Sequence, residues 1–102
     1  MTGMPIDTPY LVPYDGPTVD ILITYNQLAH EDQALQLARR LFAELDLQIA
    51  SLTLLPVERV DFTVWIDGHQ VKSLREAGCA PSSADCVASA RERLAQRAAA
   101  AA

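Results

Sequence analysis

The sequence predicts an α/β domain of the plan β-α-β-β-β-α, with a four-stranded mixed sheet and two helices. Three observations lead there. Residues 19–25, VDILITY, form a β-branched run with a continuous apolar middle, the pattern of a strand buried on both faces. The next segment, EDQALQLARRLFAEL, repeats its apolar residues at helical spacing. Residues 60–74, VDFTVWIDGHQVKSL, set Asp67-Gly68 between two alternating runs, the signal of a two-residue hairpin.

Each element can be justified in order. Residues 1–18 form a proline-rich arm, in which Pro5, Pro9, Pro13 and Pro17 recur every four positions around Tyr10, Leu11, Val12 and Tyr14. Proline fixes φ and removes a donor, so the arm is expected to be extended. It is either a mobile tail or an arm whose tyrosines pack on the domain or on a neighbouring subunit. The domain proper spans residues 19–97. After the first strand, a loop of Asn26, Gln27, Leu28 and Ala29 is expected, with the helix following. Ala34, Leu35, Ala38, Leu41, Phe42 and Leu45 are placed on its inner face, and Glu31 and Asp32 near its start favour the dipole. Residues 49–55, IASLTLL, read as a second strand ending at Pro56, which completes a βαβ unit of right-handed crossover. In the hairpin, Val60, Phe62, Val64 and Ile66 alternate onto one face, with Val71 opposite Val64. Trp65 falls on the other face with Gln70 across from it, and His69 lies opposite Ile66. The last helix follows Pro81, capped by Ser82 or Ser83, with Asp85 completing an S-x-x-D pattern. Val87, Ala90 and Leu94 line its inner side, and the alanine-rich tail, 98–102, either prolongs it or frays. A parallel pair extended by an antiparallel hairpin, with two helices on the sheet, is the core plan of the thioredoxin fold.

Composition limits the functions. A chain of 102 residues, 50% hydrophobic and 21% charged, is one soluble-type domain with a real core. Its net charge is −5, and Lys72 is its single lysine, so a phosphate-binding stripe is missing and nucleic acid is not expected as a partner. The apolar runs are too short for a bilayer and the N-terminus does not resemble a signal peptide, so no membrane partner and a cytoplasmic location are expected. Two cysteines, Cys79 and Cys86, make neither a disulfide scaffold nor a zinc site, and nothing in the chain requires a metal or another cofactor.

Four stretches then stand out: ITY at 23–25, LTLLP at 52–56, FTVWIDGHQV at 62–71, and Gly78-Cys79-Ala80-Pro81. In this order they resemble the Rdx family, the SelT/SelW/SelH selenoprotein-like domains of thioredoxin fold, over roughly residues 19–97. The resemblance implies a redox motif, C-x-x-C or its selenocysteine form, directly after the first strand. This sequence departs from it. Asn26 stands at the first cysteine position and Ala29 at the second, and the family's glycine-rich turn after the proline is Val57-Glu58-Arg59. Thiol chemistry needs a thiolate and a resolving partner, and asparagine and alanine are neither.

Three readings follow. In the first, the redox pair has moved to Cys79 and Cys86, because the loop at 75–81 ends on the same sheet edge as Asn26 and Cys86 falls near a helix N-terminus, which lowers a thiol pKa. In the second, catalysis is absent and the domain binds a protein partner or a second copy, with Trp65, Tyr10 and Tyr14 as contact residues. In the third, His30 acts as an acid–base group with Tyr25, Glu31 or Asp32. Neighbouring helical residues do not face one another, and no nucleophile is paired with a base, so this third reading has the least support. The second is preferred, with the thiol–disulfide reading as its alternative.

Overall fold

The structure is a computed structural model that describes residues 14–74 and 78–101. Four strands, β1 (Val19–Asn26), β2 (Ile49–Val57), β3 (Phe62–Ile66) and β4 (His69–Ser73), form one sheet in the order β2-β1-β3-β4. Helix α1 (Gln27–Leu45) and a 3₁₀ turn (Asp46–Gln48) join β1 to β2, and helix α2 (Ser83–Ala101) closes the domain. β1 pairs in parallel with β2 and antiparallel with β3, and β3 runs antiparallel to β4. The expected plan is therefore present, and β4 runs in the same direction as β1.

Both helices pack on one face of the sheet. Val19, Ile21, Ile23 and Tyr25 of β1 meet Phe62, Val64 and Ile66 of β3, and Ala34, Leu37, Ala38, Leu41, Leu45, Cys86, Val87, Ala90 and Leu94 close over them from the helices. Ile23, Leu41 and Val64 have no exposed surface, and each buried side chain of this size contributes about 1.5–3 kcal/mol.

Several expectations are corrected. α1 begins at Gln27, so the anticipated loop at Asn26–Ala29 does not exist, and Glu31 and Asp32 lie beyond its first turn. Its core face is centred on Leu41, which brings Leu37 inward and leaves Leu35 and Phe42, about a quarter to a third of a turn away, 39% and 50% exposed. β2 continues through Pro56 to Val57; at a sheet edge the missing proline N–H costs no ladder bond. Val60 precedes β3 and is 65% exposed. A register shift between Val64 and Trp65 sets Lys72, rather than Val71, opposite Val64, while Trp65–Gln70 and Ile66–His69 pair as expected.

The hairpin turn has positive φ at both central residues, 51° at Asp67 and 81° at Gly68, as a type I′ turn requires. Asp67 also ties three elements together. Its backbone N–H donates to the Asp20 carbonyl (2.8 Å), its carboxylate accepts from the Asp20 N–H (2.9 Å) and from Arg93 Nε (2.9 Å), and Arg97 forms an ion pair with it, Nη2 lying 3.0 Å away. Ser82 caps α2 by accepting the Asp85 N–H (3.1 Å), and the alanine tail prolongs that helix to Ala101.

Candidate functional site

The strand–helix junction is the first place to look for chemistry, and Asn26 governs its geometry. Asn26 is the last residue of β1 and the N-cap of α1, and it is only 8% exposed. Its Oδ1 accepts the Ala29 N–H at 2.9 Å, which satisfies a free amide of the first turn and lets the helix begin at Gln27. Its Nδ2 donates to the carbonyls of Glu58 (2.8 Å) and Arg59 (3.2 Å), with the Val57 carbonyl at 3.5 Å, so two hydrogens are shared among three acceptors. Its backbone N–H donates to the Asp61 carbonyl at 2.9 Å. One side chain thus starts the helix and holds the β2–β3 loop against it.

A depression of about 350 Å³ opens beside this residue, lined by Asn26, Gln27, Leu28, Pro56, Val57 and Glu58. Leu28 is 98% exposed at its mouth. None of these side chains carries a thiol, and Ala29 adds only a methyl group. Positions 26 and 29 therefore offer a cap and a spacer.

Below the junction is a buried polar cluster that sequence reading missed. Asp61, 4% exposed, accepts hydrogen bonds from Thr63 Oγ1 at 2.7 Å and Thr24 Oγ1 at 3.2 Å, and Arg59 Nη2 lies 3.7 Å from its carboxylate. Thr63 Oγ1 is also 3.2 Å from Ser73 Oγ. The cluster crosses β1, β3 and β4 on the face away from the helices and satisfies every polar group it names. Its signal in the sequence, a Thr or Ser on each of three strands at the same level, becomes visible only once the registers are known.

His30 does not face Glu31. Its ring packs against Phe62 with centroids 5.5 Å apart, and its Nδ1 is 2.8 Å from Gln33 Oε1, so Nδ1–H is the donor. His69 is exposed on the edge strand opposite Ile66. Ala80 and Pro81 share a second depression, about 350 Å³, with Gln33, Leu37, Arg40 and Phe62, so this stretch does return to the α1 side of the sheet. Residues 75–77 of that loop lie outside the described residues.

The two cysteines occupy opposite environments. Cys79 is exposed, directly after Gly78, whose φ is 78° and whose N–H donates to the Leu74 carbonyl (3.0 Å). Cys86 is in the first turn of α2, as expected, but has no exposed surface; neither cysteine is in a disulfide.

Trp65 is on the face turned away from the helices and is half-buried. With its cross-strand partner Leu22 it walls a depression of about 270 Å³ that Asp20, Ile21, Ser51, Thr53 and Gly68 complete. Of the two tyrosines grouped with it, Tyr10 lies outside the described residues. Tyr14 is 39% exposed and donates to the Pro17 carbonyl at 3.1 Å. Its ring lies so close over Gly16 that any Cβ there would collide with it.

Sheet order, strand directions and the helix that opens directly on the first strand define a thioredoxin-like α/β domain. One of its structural neighbours is selenoprotein W-related. The chain is similar to the selenoprotein W-related protein of Vibrio cholerae, with a TM-score of 0.71 and 19% identity over 76% of this chain and 98% of that one. It is equally similar to a protein of Bordetella parapertussis, with a TM-score of 0.70 and 19% identity over 76% of this chain and 99% of that one. No protein-family model and no curated protein matches the sequence. Among the described residues no helix is long and apolar enough to cross a membrane, and no three His, Cys, Asp or Glu side chains gather as metal ligands.

Proposed function

We propose that this is a selenoprotein W-like thioredoxin-fold protein that works by binding another protein, without dithiol chemistry at the strand–helix junction. The carrying observation is the use to which Asn26 is put. The position where such folds hold a sulfur is filled by an amide whose oxygen and nitrogen are both committed to backbone partners. The contact surface assigned to the binding role is the depression around Trp65, an aromatic that pairs apolar area with an N–H donor at low entropic cost. The complete burial of Cys86 supports this reading over a Cys79–Cys86 couple, because an exchanging disulfide needs a sulfur that a reductant can reach.

Two measurements test it together. Purified protein added to a disulfide reductase assay with an external thiol is expected to give the buffer rate. In cells, a photo-crosslinking phenylalanine analogue at position 65 is expected to trap a discrete adduct with a different chain, unchanged by Cys79→Ser. Turnover that Cys79→Ser abolishes would instead establish the thiol–disulfide alternative, and absence of an adduct would remove the Trp65 surface.

A further inference from the structure

The two edges of the sheet are built differently. β4 is a short edge of five residues containing His69 and Lys72, with Glu92 and Arg93 of α2 alongside. Short, charged edges resist pairing with other strands. β2 is nine residues long, and residues 49–57, IASLTLLPV, carry no formal charge. Among the described residues nothing pairs with its outer side. Pro56 is its single protective residue, and it blocks only the C-terminal end.

The flank of this edge is apolar too. Leu52 and Leu54 lie opposite Ile21 and Ile23 on the helix-covered face but are only partly buried. Leu35 and Phe42 lie on the side of α1 away from its α2-facing residue Glu44, and so above β2. Leu47, at 60% exposed, lies just before the strand, and Leu55, at 47%, is exposed on the opposite face of the sheet, across from Thr24. An uncharged strand edge with leucines along its length is open to strand addition.

We infer that β2 pairs antiparallel with β2 of a second copy, joining two sheets into one of eight strands. Symmetry selects a second copy as the occupant, because it brings the same uncharged edge and the same apolar flank. Antiparallel pairing of a strand with itself places a two-fold axis perpendicular to the sheet, so both α1 helices remain on the same face and their Leu35–Phe42 flanks meet. Each copy carries a net charge of −5, and this neutral edge lets two of them approach without opposing like charges. The regular part of the strand lies beyond the shift at Val19/Asp20 and before Pro56. Centring the axis on Thr53 pairs Leu52 with the other copy's Leu54 twice over.

The size is that of a reversible contact. Nine residues at about 3.3 Å each make an edge roughly 30 Å long. With one sheet and one helix layer about 15 Å deep, some ~450 Å² per copy is buried, near the lower limit for a specific interface. The dimer is therefore expected to dissociate on the order of 10 μM. The edge shares Ser51 and Thr53 with the depression beside Trp65, but the pairing is made by the β2 backbone and needs no partner bound there.

Sedimentation of the full chain from about 1 to 200 μM tests it. The expected result is a monomer–dimer transition that moves to lower concentration as salt rises, because added ions screen the repulsion between two like-charged copies. Thr53→Lys, an exposed substitution that sets two ammonium groups opposite each other at the axis, is expected to give a monomer at every concentration with an unchanged circular dichroism spectrum. Thr53→Cys in a Cys79→Ser background is expected to crosslink within minutes under mild oxidation, because directly opposed Cβ atoms, about 4.5–5.5 Å apart, are a small shift from the disulfide range of about 3.5–4.5 Å. A wild type that stays monomeric at 200 μM (about twentyfold above the expected midpoint), which is also the outcome if the arm or a different protein takes the edge, would overturn the inference. So would a Thr53→Lys dimer, or a crosslink that forms no faster than with Ser89→Cys on α2.

Discussion

Replacing Asn26 by alanine removes three things at once: the cap on the Ala29 amide, the bonds to the Glu58 and Arg59 carbonyls, and the link between α1 and the β2–β3 loop. Loss of an N-cap costs about 1 kcal/mol. The 2.8 Å bond to Glu58 contributes about another 1 kcal/mol, and the weaker bond to Arg59 raises the sum to about 2–3 kcal/mol. For a domain of this size each kcal/mol is about 4–8 °C in Tm, so Asn26→Ala is expected to melt roughly 10–20 °C below wild type. Asn26→Ser keeps an oxygen for the cap and loses only the donors, so its loss should be about half as large. Urea titration followed by Trp65 fluorescence measures both, and hydrogen exchange at the Ala29 amide reports the cap alone. An Asn26→Ala variant within about 0.5 kcal/mol of wild type, with Ala29 still protected, would refute this account of the junction.

Two further outcomes follow from the same structure. Burial pushes the Asp67 carboxyl up, but the Asp20 N–H, the Arg93 hydrogen bond and the Arg97 and Arg93 charges outweigh it and hold the pKa below 3.8. A depressed carboxyl stabilises the fold fully above its unfolded value and loses that contribution as pH falls through the folded one. Asp67→Asn is therefore expected to cost about 1–3 kcal/mol at neutral pH, a gap that narrows below about pH 4; a gap independent of pH would refute the ion pairing. Thiol labelling of the native protein is expected to modify Cys79 at once and Cys86 only on unfolding, which rapid reaction of both would contradict.

What the sequence made legible was whatever local pattern controls. The apolar run of β1, the Asp67-Gly68 turn and the Ser82 cap each depend on a few neighbouring residues, and each is where its pattern placed it. The start of α1 was not legible, because asparagine is as common in loops as at caps, and only its bond to Ala29 decides between them. Leu37 and Leu35 have equal claims to an amphipathic face until the sheet and α2 fix the rotation of the helix. The Asp61 cluster and the Asp67–Arg93–Arg97 contact join residues distant in the chain, and no spacing rule brings them together. At the site itself, the presence of Asn26 and Ala29 could be read directly, whereas the structural use of Asn26 could not.

That use bears on redesign. A cysteine placed at position 26 would supply a thiol but no donor, leaving the carbonyls of Glu58 and Arg59 unanswered in a half-closed loop. Thiol chemistry could be built at this junction only by redesigning 57–59 as well, so that the loop satisfies its own backbone. Two changes in separate elements are coupled through one amide, and a single substitution would weaken the fold before it added a function.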